Sequence, residues 1–126
     1  MLGKLVSLLM SLFGGVEGVE HITVQELQKH LSGGLSAEEL VVDVREPDEF
    51  SAGHVPGAEN IPLGIVAGSA DRLKGRKRVF VICLSGGRSM QACAQLAPRL
   101  ADKTALVNVD GGTMAWISAG FKVDKD

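Results

Sequence analysis

Arg78-Val79-Phe80-Val81-Ile82-Cys83-Leu84-Ser85-Gly86-Gly87-Arg88-Ser89-Met90 is the stretch from which the fold reads outward. Its apolar, mostly β-branched start reads as a buried strand that ends on Cys83. Four residues follow, two of them glycine, before Arg88 and Ser89. Met90, Ala94, Leu96 and Ala97, with Gln91 and Gln95 between them, then recur with a helical pattern. The order is strand, cysteine, tight loop, helix. Leu40-Val41-Val42-Asp43-Val44 and Ala105-Leu106-Val107-Asn108-Val109 are further buried strands, and helical segments fall between the strands. This alternation predicts an α/β fold with a mainly parallel central sheet and helices on both faces.

The loop has a chemical consequence. A short glycine-rich turn that feeds a helix N-terminus can direct several backbone N–H groups inward, and the positive end of the helix dipole points the same way. A cysteine at the start of such a loop has its thiolate stabilised and its pKa lowered. Gly86 and Gly87 supply the backbone angles of a tight ring. Arg88 adds a fixed charge with a forked set of donors for an oxyanion. The competing reading, a buried cysteine at a strand end, does not use the glycines, the arginine and the helix start that coincide here.

Cys83-Leu84-Ser85-Gly86-Gly87-Arg88-Ser89 resembles the active-site loop of single-domain rhodaneses, a family of sulfurtransferases. Its Cys-x4-Arg spacing is one residue shorter than the Cys-x5-Arg loop of protein phosphatases, which favours sulfur over phosphate. A second, longer match is Asp43-Val44-Arg45-Glu46-Pro47-Asp48-Glu49-Phe50 with Gly53-His54, Pro56-Gly57-Ala58 and Asn60-Ile61-Pro62. A third is Gly111-Gly112, Ala115-Trp116 and Gly120-Phe121, where Lys122 stands in place of the proline the family often has. The resemblance covers residues 20–121. It implies a rhodanese-like fold and a thiosulfate sulfurtransferase-type enzyme. In this reading Cys83 carries sulfur as a persulfide, and Leu84, Ser85, Gly86, Gly87, Arg88 and Ser89 bind the donor. A small-molecule sulfur donor, thiosulfate or a persulfide, and a cyanide or thiol acceptor are the implied partners. The alternatives are a non-catalytic binding module of the same fold and a cysteine-dependent phosphatase or arsenate reductase.

The remaining candidates read as supports. Asp43 and Arg45 leave a strand end and pair locally, with Glu49 as a partner for Arg45. His54 is a hydrogen-bonding brace in preference to a general base. Trp116 packs in the core beside the cysteine loop. Thr23-Val24-Gln25-Glu26 is a capping-box pattern that starts a helix running to about Leu31. The helix after the cysteine loop runs to about Leu96, where Pro98 ends or kinks it. Arg72, Lys74, Arg76, Lys77 and Arg78 form a solvated basic turn, with steering of anionic donors as the second reading.

Composition sets the outer limits. In 126 residues, 45% are hydrophobic, enough to fill one core, and the net charge of −2 argues against a nucleic-acid surface. Of the two cysteines, Cys93 reads as a small buried residue, and neither pairs with histidines at metal-ligand spacing, so no metal and no cofactor are expected. The domain is placed at 19–126, behind an apolar, amphipathic segment and a glycine-rich joint at 1–18. Residues 2–13 are too short to span a bilayer. They leave three readings open: a secretory signal, a helix on a membrane surface, or a helix packed on this domain or on a second copy in a homodimer. A cytoplasmic location is expected, with a periplasmic or membrane-associated one as the alternative.

Overall fold

The structure, a computed structural model, describes residues 16–126; the expected helix at 2–13 lies outside them. In chain order the elements are β1 (Val19–Ile22), α1 (Val24–Ser32), β2 (Glu39–Asp43), α2 (Pro47–Ala52), β3 (Glu59–Asn60), α3 (Leu63–Val66), a 3-10 turn (Ala67–Ser69), α4 (Ala70–Leu73), β4 (Arg78–Ile82), α5 (Gly87–Leu100), β5 (Ala105–Val109) and α6 (Gly112–Ser118). The five strands form one parallel sheet in the order β1-β5-β4-β2-β3.

Side chains alternate across each strand, so the central strands feed two cores. Val79, Val81 and Cys83 join Val42, Val44 and Leu106 on one face, where Ala92, Cys93, Leu96 and Leu100 of α5 and Val66, Ala70 and Leu73 cover them. Phe80 and Ile82 join Val41, Val107 and Val109 on the other, under Val24 and Leu27 of α1 and Trp116 of α6. Burial on both faces is what the continuous apolar runs of β2 and β4 require, and it makes their backbone ladder parallel and interior.

Local sequence sets the element ends. Thr23 and Glu26 form the expected capping box, with Glu26 N–H donating to Thr23 Oγ1 at 3.1 Å and Thr23 N–H to Glu26 Oε1 at 3.0 Å. Pro47 occupies the first turn of α2. Pro98 corrects the expectation for α5, because the helix continues through it to Leu100. The proline falls in the last turn and removes one N–H donor. The ladder resumes with Ala101 N–H on Ala97 O at 3.0 Å, and burial of Leu100 holds the final turn down.

The order of the strands places the site. From β2 the chain runs outward to β3, and from β4 it runs the opposite way to β5. The connections therefore diverge between the carboxyl ends of β2 and β4, the place where open α/β sheets hold their ligands. Cys83 follows β4 at this point, and Asp43, Arg45 and Glu49 follow β2. The basic turn precedes β4 and so sits mainly at the opposite end of the sheet. There Arg78 pairs with Glu39 at 2.7 Å, and Arg76 donates to Ala37 O. Arg72 pairs with Glu59. These contacts tie Arg72, Arg76 and Arg78 of the turn to the fold.

Candidate active site

Cys83 sits at the floor of a ring formed by residues 83–89. Its residue is 1% exposed, whereas Leu84, Ser85 and Gly87 above it are open to solvent. Gly86 N–H donates to Cys83 Sγ at 3.1 Å. Gly86 holds φ +116°, in the left-handed region, and this turn is what brings its amide inward and starts α5. Cys83 Sγ–H donates to Ser89 Oγ at 3.4 Å, and Ser89 Oγ–H donates to Gly86 O at 3.1 Å. When the thiol ionises, the Ser89 hydroxyl can turn and donate to sulfur instead.

Burial pushes the Cys83 thiol up. The Ser89 hydroxyl and the backbone N–H groups of Ser89, Gly86 and Ser85 outweigh it, and the pKa falls below its ordinary 9.0. Cys93, on α5 behind the loop, has no such donors. Burial and then the negative charge of Cys83 push it up to about 12. The two are free thiols with opposite tendencies. Thiolate absorbance in the ultraviolet, followed against pH, should rise first for Cys83 and should vanish at lower pH values. In Ser89→Ala that rise is expected at higher pH. An unmoved midpoint would take the hydroxyl out of thiolate stabilisation.

The ring is seated from below by the start of α6. Thr113 N–H and Thr113 Oγ1 both donate to Cys83 O, at 2.8 and 3.0 Å, and Met114 N–H donates to Leu84 O at 2.9 Å. Thr113 is buried and was not among the sequence candidates; its place directly after Gly111-Gly112 was the available signal. Trp116 is buried as expected, but in the core opposite Cys83. There it meets Phe121 edge-on at 5.0 Å and donates Nε1–H to Lys122 O. It belongs to the same helix as the loop's support and is not beside the loop, which corrects that expectation. Successive strand residues face opposite ways, and α6 packs its aromatic residue on the Phe80–Ile82 face.

The β2 side carries two ion pairs. Arg45 pairs with fully buried Asp43 through Nε and Nη2, at 2.8 to 3.1 Å, and donates also to Gly53 O at 2.8 Å. Asn60, of the Asn60-Ile61-Pro62 match, ties the same corner by donating to Asp43 O and Arg45 O, each at 2.9 Å. Glu49 does not pair with Arg45. Its carboxylate takes both terminal nitrogens of Arg88, at 2.7 and 2.9 Å. The Arg45 fork is already filled by Asp43, while α2 carries Glu49 to Arg88 of α5. The Arg88 hydrogen bond, set against partial burial, holds the Glu49 carboxyl at about 2. His54 is a brace: Nδ1–H donates to Phe50 O at 2.7 Å, the ring stacks on Phe50 at 3.7 Å, and Nε2 faces Asp126 Oδ1 at 3.4 Å.

The arrangement is a cysteine of lowered pKa under a loop of amides, placed where the connections of a parallel sheet part on an α/β domain. The chain belongs to the rhodanese-like domain family, whose model matches residues 23–119. It is 30% identical over 105 residues to a protein named sulfurtransferase from Allochromatium vinosum, covering 83% of this chain and 94% of that one. It is 34% identical to the mitochondrial protein HIGH ARSENIC CONTENT 1 of Arabidopsis thaliana, over 87% of this chain and 69% of the relative. Among solved structures, the rhodanese-related protein of Thermoplasma volcanium superposes with a TM-score of 0.73 at 29% identity, covering 85% of this chain and 99% of that one. Among the described residues no helix is long and apolar enough to cross a membrane.

Proposed function

We propose that the chain is a sulfurtransferase that moves a sulfane sulfur from thiosulfate or a persulfide donor to cyanide or a thiol, through a persulfide on Cys83. The observation that carries this reading is the convergence of donors on Cys83 Sγ, which favours the thiolate in a buried position. Family membership and the sulfurtransferase name of a relative support the reaction class.

The steps balance without an oxidant. The Cys83 thiolate attacks the outer sulfur of the donor, a new S–S bond forms, and the donor's own bond to that sulfur breaks. With thiosulfate, sulfite leaves with the bonding pair. The ring amides that hold the thiolate then face the terminal persulfide sulfur, which carries the same charge one atom further out. An acceptor nucleophile takes that sulfur and returns the Cys83 thiolate, so one difficult transfer is divided into two.

Intact mass after incubation with thiosulfate or with glutathione persulfide tests the reading. A gain of one sulfur atom that cyanide removes is the expected result. Turnover of arsenate or of an aryl phosphate with no sulfur gain from either donor would replace it with the reductase or phosphatase reading. No gain and no turnover would leave a binding module.

A further inference from the structure

Among the described residues, little free positive charge stands at the mouth of the cysteine ring. Of those residues, the guanidiniums nearest in the fold are Arg88 on the ring and buried Arg45 after β2. Each is held in a fork by a carboxylate, Arg45 by Asp43 and Arg88 by Glu49. Glu46 and Asp48 stand exposed on the turn that carries Glu49. Most of the basic turn lies at the other end of the sheet. A dianion such as thiosulfate meets an arginine already satisfied and carboxylates around it.

What the mouth does offer is apolar. Leu84 is 37% exposed on the ring itself, and Met114 and Ile117 are 55% and 54% exposed one turn apart on α6. Met114 is joined to Leu84 through its backbone hydrogen bond, so this surface runs directly into the ring. Single exposed apolar residues are common on any surface, but here they adjoin one another beside the nucleophile.

Resting on the reading that Cys83 accepts sulfane sulfur, we propose that Glu49 determines donor specificity: by holding Arg88 it closes the guanidinium to thiosulfate and leaves the ring to a persulfide carried on a polypeptide cysteine with apolar and basic neighbours. The apolar neighbours meet Leu84, Met114 and Ile117, and the basic ones meet Glu46 and Asp48. In the transfer the Cys83 thiolate attacks the outer sulfur of R–S–S–H. The bond between the donor's two sulfurs breaks with its pair on the inner one, RS⁻ leaves and takes a proton from solvent, and Cys83 becomes the persulfide.

The test measures the rate of sulfur loading of the full chain, by intact mass, from thiosulfate, glutathione persulfide and a synthetic peptide persulfide with leucine and lysine beside its cysteine. The peptide is expected to load fastest and thiosulfate slowest. Glu49→Gln keeps the size of the side chain and an oxygen for the Glu46 N–H, while removing the charge. It is expected to raise loading from thiosulfate about tenfold, the factor one freed charge-assisted hydrogen bond supplies. Adding Arg88→Ala should erase the gain. Ile117→Ser should lower the peptide rate relative to the thiosulfate rate. Thiosulfate loading that stays level or falls in Glu49→Gln would make Glu49 a positioning group for Arg88 and overturn the proposal. A native chain that loads equally from thiosulfate and peptide would overturn it too, and equal rates from glutathione and peptide persulfides would remove the polypeptide carrier. Loading from none of the three would remove the sulfur-transfer reading itself.

Discussion

Cys83→Ser is expected to abolish sulfur loading, with a rate loss of at least on the order of 1,000-fold, whereas Cys93→Ala keeps most of it. The hydroxyl of serine stays protonated where the Cys83 thiol ionises, and oxygen cannot carry the sulfur as a persulfide. The same ring that lowers the Cys83 pKa cannot bring an alcohol into range. Cys93 is 0% exposed and is pushed up to about 12, so it remains a thiol at neutral pH and has no route to a donor. Its removal leaves a small cavity between α5 and the sheet, costing about 1 kcal/mol for the lost sulfur. Alanine avoids placing a hydroxyl in that core. Intact mass after exposure to a persulfide donor, paired with a melting curve, separates chemistry from folding. Comparable loss of loading in both variants, at unchanged stability, would mean that sulfur passes through two cysteines.

The contrast between the two cysteines was legible in the sequence because local pattern controls it. Strand, glycine pair, arginine and helix start all lie within residues 78–90, and these neighbours place the amides on Cys83. Cys93 was read as a small buried residue and is one, but the helical stripe read as Met90, Ala94, Leu96 and Ala97 was only partly right: Leu96 is buried beside Ala92 and Cys93, whereas Ala94 is exposed. The Glu49–Arg88 pair was not legible. It joins residues on two elements brought together only by the crossing of the sheet's connections, and at the sequence level Arg45, four residues away, was the nearer partner for Glu49. Which face of the sheet received Trp116 was hidden for a related reason, since the direction of α6 depends on how its first turn docks on the cysteine ring. Pro98 shows the opposite balance: a strong local signal to end the helix lost to the burial of Leu100. The capping box at Thr23 and Glu26 needed no tertiary contact and appeared as read.

Docking of α6 on the ring is itself testable through Gly112→Ala, which is expected to cost about 2–4 kcal/mol and to lower Tm by roughly 10–20 °C. Gly112 holds φ +60°, where an L side chain is strained. A Cβ there would lie 2.5 Å from Leu84 O and 2.6 Å from Cys83 O. Both contacts are backbone atoms of the ring, so no side chain can swing aside to relieve them. Either the ring or α6 must shift, and the bonds from Thr113 and Met114 to those carbonyls stretch with it. Gly34→Ala provides the comparison. Its φ of +83° carries the same kind of strain, but nothing lies within 4 Å of the added carbon. It is expected to lose only about 1–2 kcal/mol from backbone strain. Sulfur loading by Gly112→Ala, measured well below its Tm, should fall because the amides that face Cys83 Sγ ride on the displaced carbonyls, while Gly34→Ala, at a turn after α1, leaves them in place. Equal melting temperatures and equal loading in the two variants would mean that the ring keeps its shape without α6, and the cysteine's environment would then be a property of residues 83–89 alone.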